Sequence, residues 1–305
     1  MSKSIRQQFA DTMLAVGQRD TDLVVIVGDI SHGILQPFAA AFPDRYYNIG
    51  ILEPTMMSLG AGMSSVGLYP VLHTIAPFLI ERSFEQLKLD FCYHQLHGNV
   101  VSVGAAFDYS YLGCTHHCYD DFALLKTLQG SEICTPASAA EFDALFLQTY
   151  RNSHLTVSRL CGQNHGVEFR ASDIIFGKAA KIADGSDVTL VAVGSQLRTA
   201  MRAQELLADK NLTADILYIH TVRPIDIEPI RASALKTRKV VVLEEHMRSG
   251  GFGDDVLRHI YEIPDLRFHS LAIPDVFVRN YGSYDDLCES VGLTPEAVVT
   301  AVLTK

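Results

Sequence analysis

The sequence predicts an α/β fold made of two tandem three-layer domains with mostly parallel sheets. Short β-branched runs, such as LVVIVGD at 23–29 and NVVSVGA at 99–105, alternate with helical patterns along almost the whole chain. These runs are apolar without interruption, which is typical of parallel strands covered on both faces. The 305 residues are enough for about two domains of roughly 150 residues each.

The first predicted domain spans residues 1–165. Its strands are predicted at 23–29, 68–73, 99–105, 131–136 and 154–160. Segments with an apolar face at helical spacing predict helices at 5–16, 54–66, 78–91, 121–128 and 138–150. Strands and helices therefore alternate as they do in a parallel sheet with helices on its faces.

The pattern weakens after Cys161, where glycine, asparagine, histidine and scattered charges predict a linker at 166–184. A second domain is predicted at 185–305, with strands at 187–195, 213–220, 238–246 and 266–272. The GGFG segment at 250–253 precedes a helix, where glycines allow a tight turn. It lacks the G-x-G-x-x-G spacing of a dinucleotide site, so a structural explanation is favoured.

Composition excludes several classes of function. A formal charge of −10 and a pI near 5.6 argue against nucleic-acid and acidic-membrane partners, which need clustered Lys and Arg. No segment has the pattern of a secretory signal or of a membrane span, and the six cysteines are expected to be free thiols. We therefore expect a cytoplasmic protein.

The segment CTHHC at 114–118 places four potential metal ligands within five residues. Structural zinc sites normally use pairs of ligands that are separated by two to four residues and lie on different knuckles. A plain loop or a catalytic segment is therefore favoured over a zinc site.

The stretch NIGILEPTMMSLGAGM at 48–63 places one carboxylate, Glu53, among apolar and small residues. Pro54 suits the first position of a helix, so Glu53 is expected at a helix N-terminus. One explanation is a favourable charge at the positive helix end, and the other is a functional carboxylate with a partner. The helix itself has mostly small side chains, although each glycine lowers helix stability by about 1 kcal/mol. Small side chains at this cost indicate that another group approaches the helix closely.

Several segments resemble, in order, those of transketolases. NIGILE at 48–53 resembles the segment that carries the glutamate acting on thiamine diphosphate, and PFLIERSFEQL at 77–87 resembles the aromatic helix that follows. Thr115-His116 resembles the family's substrate-side pair, and LTVSR at 155–159 resembles a strand that ends in a substrate-binding arginine. The second domain is similar to the C-terminal domain of the same superfamily.

The resemblance implies a role for eight residues. Glu53 would hydrogen-bond the aminopyrimidine of the cofactor, Phe78 would stack on it, and His116 would orient a hydroxyl or move a proton. The implied cofactor-side residues are Glu53, Phe78, Leu52 and Asp29, and the implied substrate-side residues are Arg6, His73, His116 and Arg159. An ordinary core position for Phe78 and a structural role for His73 remain alternatives.

Single-chain transketolases have an additional N-terminal domain whose Gly-Asp-Gly…Asn motif holds Mg²⁺ and the diphosphate. Here Gly28-Asp29 is followed by Ile30, so the motif is incomplete. The resemblance therefore implies a separate β subunit, with an α (large) subunit that supplies the diphosphate and metal site in an α2β2 heterotetramer. Leu112 and Gly104 stand where transketolases have a polar substrate contact, so a modified or less hydroxylated sugar is expected.

Two alternatives stay open at this point. The β subunit of a 2-oxo-acid dehydrogenase has the same implied architecture and cofactor, although Thr115-His116 and Arg159 favour sugar transfer. A non-catalytic scaffold subunit is the other alternative, because a fold does not determine a function.

Overall fold

The computed structural model describes residues 3–304, which form two mostly parallel sheets. The N-terminal sheet has the order β10-β5-β6-β4-β3-β1-β2, and only β10 is antiparallel to its neighbour. Its strands are β1 (Leu23–Val27), β2 (Tyr46–Asn48), β3 (Tyr69–Ile75), β4 (Gly98–Val103), β5 (Glu132–Cys134), β6 (Leu155–Leu160) and β10 (Thr221–Arg223). This architecture confirms the predicted fold class.

The C-terminal sheet has the order β12-β11-β8-β9-β7, in which β7 is antiparallel to β9. Its strands are β7 (Ala180–Ala183), β8 (Val188–Val193), β9 (Ala214–Ile219), β11 (Lys239–Met247) and β12 (Arg267–Ile273). The segment predicted as a linker, 166–184, thus contributes an edge strand to this sheet.

Helices cover both faces of each sheet. They are α1 (Ile5–Arg19), α2 (His32–Ala41), α3 (Glu53–Ser65), α4 (Ala76–Ile80), α5 (Phe84–Gln86), α6 (Asp121–Lys126), α7 (Ala139–Thr149), α8 (Leu197–Ala208), α9 (Ile227–Thr237), α10 (Phe252–Ile260), α11 (Tyr284–Ser290) and α12 (Pro295–Leu303). Among residues 3–304, every helix is too short or too polar to cross a bilayer.

The central strand β1 shows why the apolar runs are uninterrupted. Leu23, Val25 and Val27 pack against α1 and α7, whereas Val24 and Ile26 point to the opposite face, toward α3. All five side chains are buried, as the sequence predicts for a parallel strand between two helical layers.

The prediction of one continuous helix at 78–91 is wrong. The segment forms α4, a turn, α5 and then a π-helical stretch at Leu87–Tyr93. Within the turn, the amide of Arg82 donates to the carbonyl of Pro77 at 3.1 Å, and the Ser83 hydroxyl donates to the carbonyl of Phe78 at 3.2 Å. These hydrogen bonds interrupt the regular α-helical pattern and determine where the Arg82 side chain points. The hydrophobic periodicity of the sequence does not reveal this interruption.

A buried arginine of the first domain pairs with an aspartate of that domain and also bonds to the second domain. Arg159, at the end of β6, is 6% exposed and donates from Nε to Oδ2 of Asp121 at 2.7 Å. Its Nη2 donates to the carbonyl oxygens of Cys118 at 3.3 Å and of Glu245, in β11, at 2.9 Å. The guanidinium thus connects α6, the preceding loop and the C-terminal sheet.

The strand β10 joins the domains a second time. It belongs to the second half of the chain but pairs with β5 at the edge of the N-terminal sheet. Arg223 in β10 also donates to the carbonyl oxygens of Lys126 at 2.9 Å and Leu128 at 3.0 Å. The two domains are therefore joined at a sheet edge as well as by the hydrogen bond from Arg159 to Glu245.

Replacing Asp121 with Asn should destabilise the chain, because the buried Arg159 would lose the carboxylate to which its Nε donates. Loss of one partner of a buried pair typically costs about 3–5 kcal/mol. Urea denaturation of the purified chain would measure the change, with Asp173→Asn as the control, since Asp173 pairs with Arg170 at the surface. Equal stability of the two variants would contradict a structural role for the buried pair.

Candidate active site

Four of the eight predicted site residues lie at one edge of the N-terminal sheet. Asp29 follows β1, Glu53 follows β2 after a short turn, Phe78 follows β3, and His116 lies in a loop at 104–120 that follows β4. We call this loop the substrate loop. These four strands are parallel neighbours, so their carboxyl ends form a common edge, which is the usual position of sites in open α/β sheets.

Glu53 is the first residue of α3 and is 1% exposed. Its Oε2 accepts a hydrogen bond from Nη1 of Arg82 at 2.7 Å. Its Oε1 accepts no hydrogen bond from any residue between 3 and 304. The carboxylate is therefore neutralised within the chain, and one oxygen remains free to bind another donor.

Phe78 lies between Arg82 and His116. The guanidinium carbon of Arg82 lies 4.3 Å from the centre of the Phe78 ring, and the His116 ring meets that ring edge-on at 5.3 Å between centroids. Cation–π and edge-to-face contacts of this kind hold aromatic rings in place. The structure thus brings Glu53, Phe78 and His116 together through Arg82, which the sequence analysis did not identify as a site residue.

His116 is half-buried in the substrate loop. Its Nδ1 lies 2.9 Å from the Thr115 hydroxyl, and its backbone amide donates to the carbonyl of Gly113 at 3.0 Å. The Thr-His pair and a turn thus fix the imidazole beside Phe78. An imidazole in this position can donate or accept a hydrogen bond.

Tyr109 is a second residue that the sequence analysis missed. An added Cβ on Gly104 would lie only 2.4 Å from the Tyr109 ring, so the ring occupies the space beside that glycine. The ring centres of Tyr109 and His116 are 6.2 Å apart. Burial raises the pKa of the Tyr109 phenol, while the positive charge of Arg6 opposes this rise. Gly104 is the feature of the sequence that could have indicated Tyr109, because a residue without a side chain leaves room for a nearby aromatic ring.

His73 connects to Arg6 through a chain of hydrogen bonds. The Arg6 Nη2 donates to the Ser31 hydroxyl at 2.9 Å, and this hydroxyl lies 2.8 Å from Nε2 of His73. The His73 Nδ1 lies 2.7 Å from the carbonyl of Val101, which can only accept, so Nδ1 carries the proton. Burial lowers the pKa of His73 to about 4, so the ring is neutral and Nε2 accepts from Ser31. His73 therefore positions Ser31 and Arg6 from inside the sheet.

Arg6 also borders an open pocket of about 390 Å³ at the N-terminus of α2. The pocket is lined by Ser4, Arg6, Gln7, Ser31, His32, Gly33 and Ile34. The Nε of Arg6 is buried and has no hydrogen-bond partner among the described residues. A guanidinium with an unused donor beside a helix N-terminus suits an anionic group.

The remaining predicted site residues have different surroundings. Asp29 is exposed and its backbone amide donates to the Asn48 side chain at 3.1 Å. Leu52 is 55% exposed and lies directly before Glu53. Arg159 presents no exposed guanidinium, because Asp121 and two carbonyl oxygens hold it in the interior. Its predicted role in phosphate binding stays a prediction that would require this ion pair to open.

The CTHHC segment does not form a ligand cluster in residues 3–304. The potential ligand group that the structure contains is Glu81, Cys118 and Asp120, whose ligand atoms lie within 4.8 Å of one another. His117 is buried and packs edge-on against Phe107, with 5.3 Å between ring centres. The two histidines therefore point to different surroundings, as expected for adjacent residues in a loop.

Comparisons with known proteins agree with this geometry. The transketolase pyrimidine-binding domain matches residues 1–165, and the transketolase C-terminal domain matches residues 177–298. The chain belongs to the transketolase family. Membership confirms the resemblance predicted from the sequence, and it implies dependence on thiamine diphosphate, the cofactor of transketolases.

Two relatives of similar length are each one subunit of a transketolase. The chain is 30% identical over 306 residues to a subunit of the apulose-4-phosphate transketolase of Phocaeicola vulgatus, covering 98% of this chain and 96% of that protein. It is 27% identical over 299 residues to a subunit of the 6-deoxy-6-sulfo-D-fructose transketolase of a Clostridium species, covering 97% and 92%.

One similar solved structure has a chain of nearly the same length. A split-gene transketolase, described as an inactive beta4 tetramer, superposes with a TM-score of 0.87 at 30% identity. The match covers 98% of this chain and 97% of that chain. The chain thus has the size of one part of a transketolase that is divided between genes.

Replacing Arg82 with Met should destabilise the chain, because Glu53 would remain buried without its partner. The expected loss is about 1–3 kcal/mol, toward the low end because Arg82 is 43% exposed. Chemical denaturation of Arg82→Met, Glu53→Gln and the double variant would measure the coupling between the two residues. Strictly additive losses would show that the pair contributes nothing to stability.

Proposed function

We propose that this chain is the β subunit of a split transketolase that transfers a two-carbon ketol unit from a ketose phosphate to an aldose. The observation that carries the proposal is the buried Glu53 side chain, whose Oε2 is bound by Arg82, the residue that covers Phe78, while Oε1 accepts no hydrogen bond from residues 3–304. A carboxylate oxygen without a hydrogen-bond partner can accept a hydrogen bond from a ligand. The free Oε1 therefore fits a protonated or N–H-bearing heterocycle.

The residues fit the pyrimidine half of thiamine diphosphate. Glu53 would accept a hydrogen bond from it, Phe78 would contact its ring, and Leu52 and Asp29 would border it. When bound, this cofactor supplies the carbon nucleophile that attacks the substrate carbonyl. The ionised Glu53 would accept this hydrogen bond at its free oxygen, and a charge-assisted bond of this kind is strong in a dry site.

The substrate residues have complementary tasks. His116 would orient a sugar hydroxyl or move a proton at its ring nitrogen. Arg6, held by Ser31 and His73, would bind the anionic end of the sugar in the pocket at α2. The two relatives above act, by their names, on sugars that carry a phosphate or a sulfo group. We propose an anionic, modified sugar for this chain as well.

The apolar surface of the substrate loop favours a less hydroxylated substrate. Leu112 is 39% exposed and Tyr111 is 66% exposed in the substrate loop, so this loop offers apolar surface to a ligand. Apolar surface favours carbon-rich over hydroxyl-rich groups, because each unpaired hydroxyl that is buried against it costs free energy.

An α (large) subunit would complete the site with the diphosphate and Mg²⁺. Six apolar side chains in or next to α3 and the π-helical stretch are exposed, and they are Ile51, Leu52, Leu59, Val66, Leu89 and Tyr93. A Cβ on Gly62 would contact nothing within 4 Å, so another chain can approach α3 closely. Exposed apolar side chains can mark a protein interface, and we propose that these bind the partner in an α2β2 heterotetramer.

The chain alone should show no measurable transfer and only weak cofactor affinity, because half of the cofactor site would lie on the partner. Co-expression with the candidate α subunit, native mass measurement of the complex and assays with a ketose phosphate and an aldehyde would test this expectation. Robust transfer by the isolated chain would contradict the split-subunit proposal, and release of carbon dioxide without two-carbon transfer would favour 2-oxo-acid chemistry.

Replacing Glu53 with Gln should reduce turnover of the reconstituted complex at least about 10²-fold, the low end for loss of positioned proton transfer. Steady-state kinetics would measure it, with Glu228→Gln as the control because Glu228 is exposed in the first turn of α9 in the other domain. Unchanged turnover in Glu53→Gln would favour a scaffold subunit.

A further inference from the structure

The substrate loop rests on a segment of the second domain. We call residues 274–283 the outer loop. The Tyr119 hydroxyl lies 3.4 Å from the carbonyl of Val276, and it accepts from the amide of Val278 at 3.3 Å. Ala106, Phe107 and Tyr119 also share one apolar cluster with residues of the second domain. The outer loop is thus built onto the loop that carries His116.

The closest contact between the two loops is made by Tyr281. Gly113 has φ +78°, and an added Cβ would lie 2.8 Å from Cε1 and Oη of Tyr281. The tyrosine ring therefore lies directly over Gly113. The carbonyl of Gly113 accepts the backbone amide of His116, so Tyr281 covers the turn that places the imidazole.

Tyr281 is nevertheless exposed. It is 69% accessible, and Phe277 in the same outer loop is 80% accessible. An exposed tyrosine ring that lies against the turn carrying His116 can contact a ligand with its apolar face and its hydroxyl.

We propose that Tyr281 is a specificity-determining residue, contributed by the second domain, that contacts the end of the sugar farthest from Glu53. The order of contacts supports this position, since Glu53 leads through Arg82 and Phe78 to His116, and from His116 to the Gly113 turn and Tyr281. The ring offers an apolar face to carbon atoms and a hydroxyl to polar groups. The assignment rests on the proposed transketolase function.

The test uses the reconstituted complex with hydroxypyruvate as the donor. The acceptors are glycolaldehyde, which is too short to reach the outer loop, and a series of aldose phosphates from three to six carbons. In Tyr281→Ala, KM for the longer acceptors should rise about 3- to 10-fold, the usual size of one aromatic contact, while kcat and KM for glycolaldehyde stay unchanged. Tyr281→Phe should keep most of the affinity.

The control is Tyr261→Ala, an exposed tyrosine at the end of α10 whose hydroxyl bonds to Glu262. An equal loss of kcat with all acceptors in Tyr281→Ala would show that the residue only supports the turn, and no change with any acceptor would show that it contacts no substrate. Either result overturns the assignment. A wild-type complex that transfers nothing even to glycolaldehyde would overturn the proposed function itself.

Discussion

The arrangement of this chain depends on the buried guanidinium of Arg159. It is bound by Asp121, by the end of the substrate loop at Cys118 and by the C-terminal sheet at Glu245. Taking both charges of an ion pair out of water is costly, so the pair persists only because the surrounding contacts satisfy it. One side chain thereby contacts the first domain, the second domain and the loop that carries His116.

Glu53 shows how the same constraint acts on a carboxylate. A buried carboxylate needs a counterion, and Arg82 provides it at only one of the two oxygens. The charge is therefore balanced within the chain, while Oε1 keeps a capacity to accept that no residue between 3 and 304 uses. The arginine also covers the Phe78 ring, so the pairing of Glu53 and the packing of Phe78 depend on the same side chain.

The substrate side that we propose includes both domains. His116 lies in a loop of the first domain, but the second domain packs under this loop at Tyr119 and over it at Tyr281. The C-terminal domain therefore restricts the position of the loop that carries His116. Residues that border the substrate can consequently be far apart in sequence and belong to different sheets.

The sequence by itself determined the α/β class and nine of the strands between residues 3 and 304, because the alternation of apolar runs and helical periodicity is a local property of the chain. It also indicated Glu53, since a carboxylate beside proline in apolar surroundings is visible without any neighbour. It did not reveal the short strands β2, β7 and β10, whose three or four residues carry too little pattern.

Only the tertiary structure decided which groups meet. The pairing of Glu53 with Arg82 joins residues 29 positions apart, and the pairing of Asp121 with Arg159 joins residues 38 positions apart. The position of Arg82 follows from a broken helix, the place of Tyr109 from the space beside Gly104, and that of Tyr281 from contact between domains. Such contacts arise when separate elements pack together, so no local periodicity encodes them.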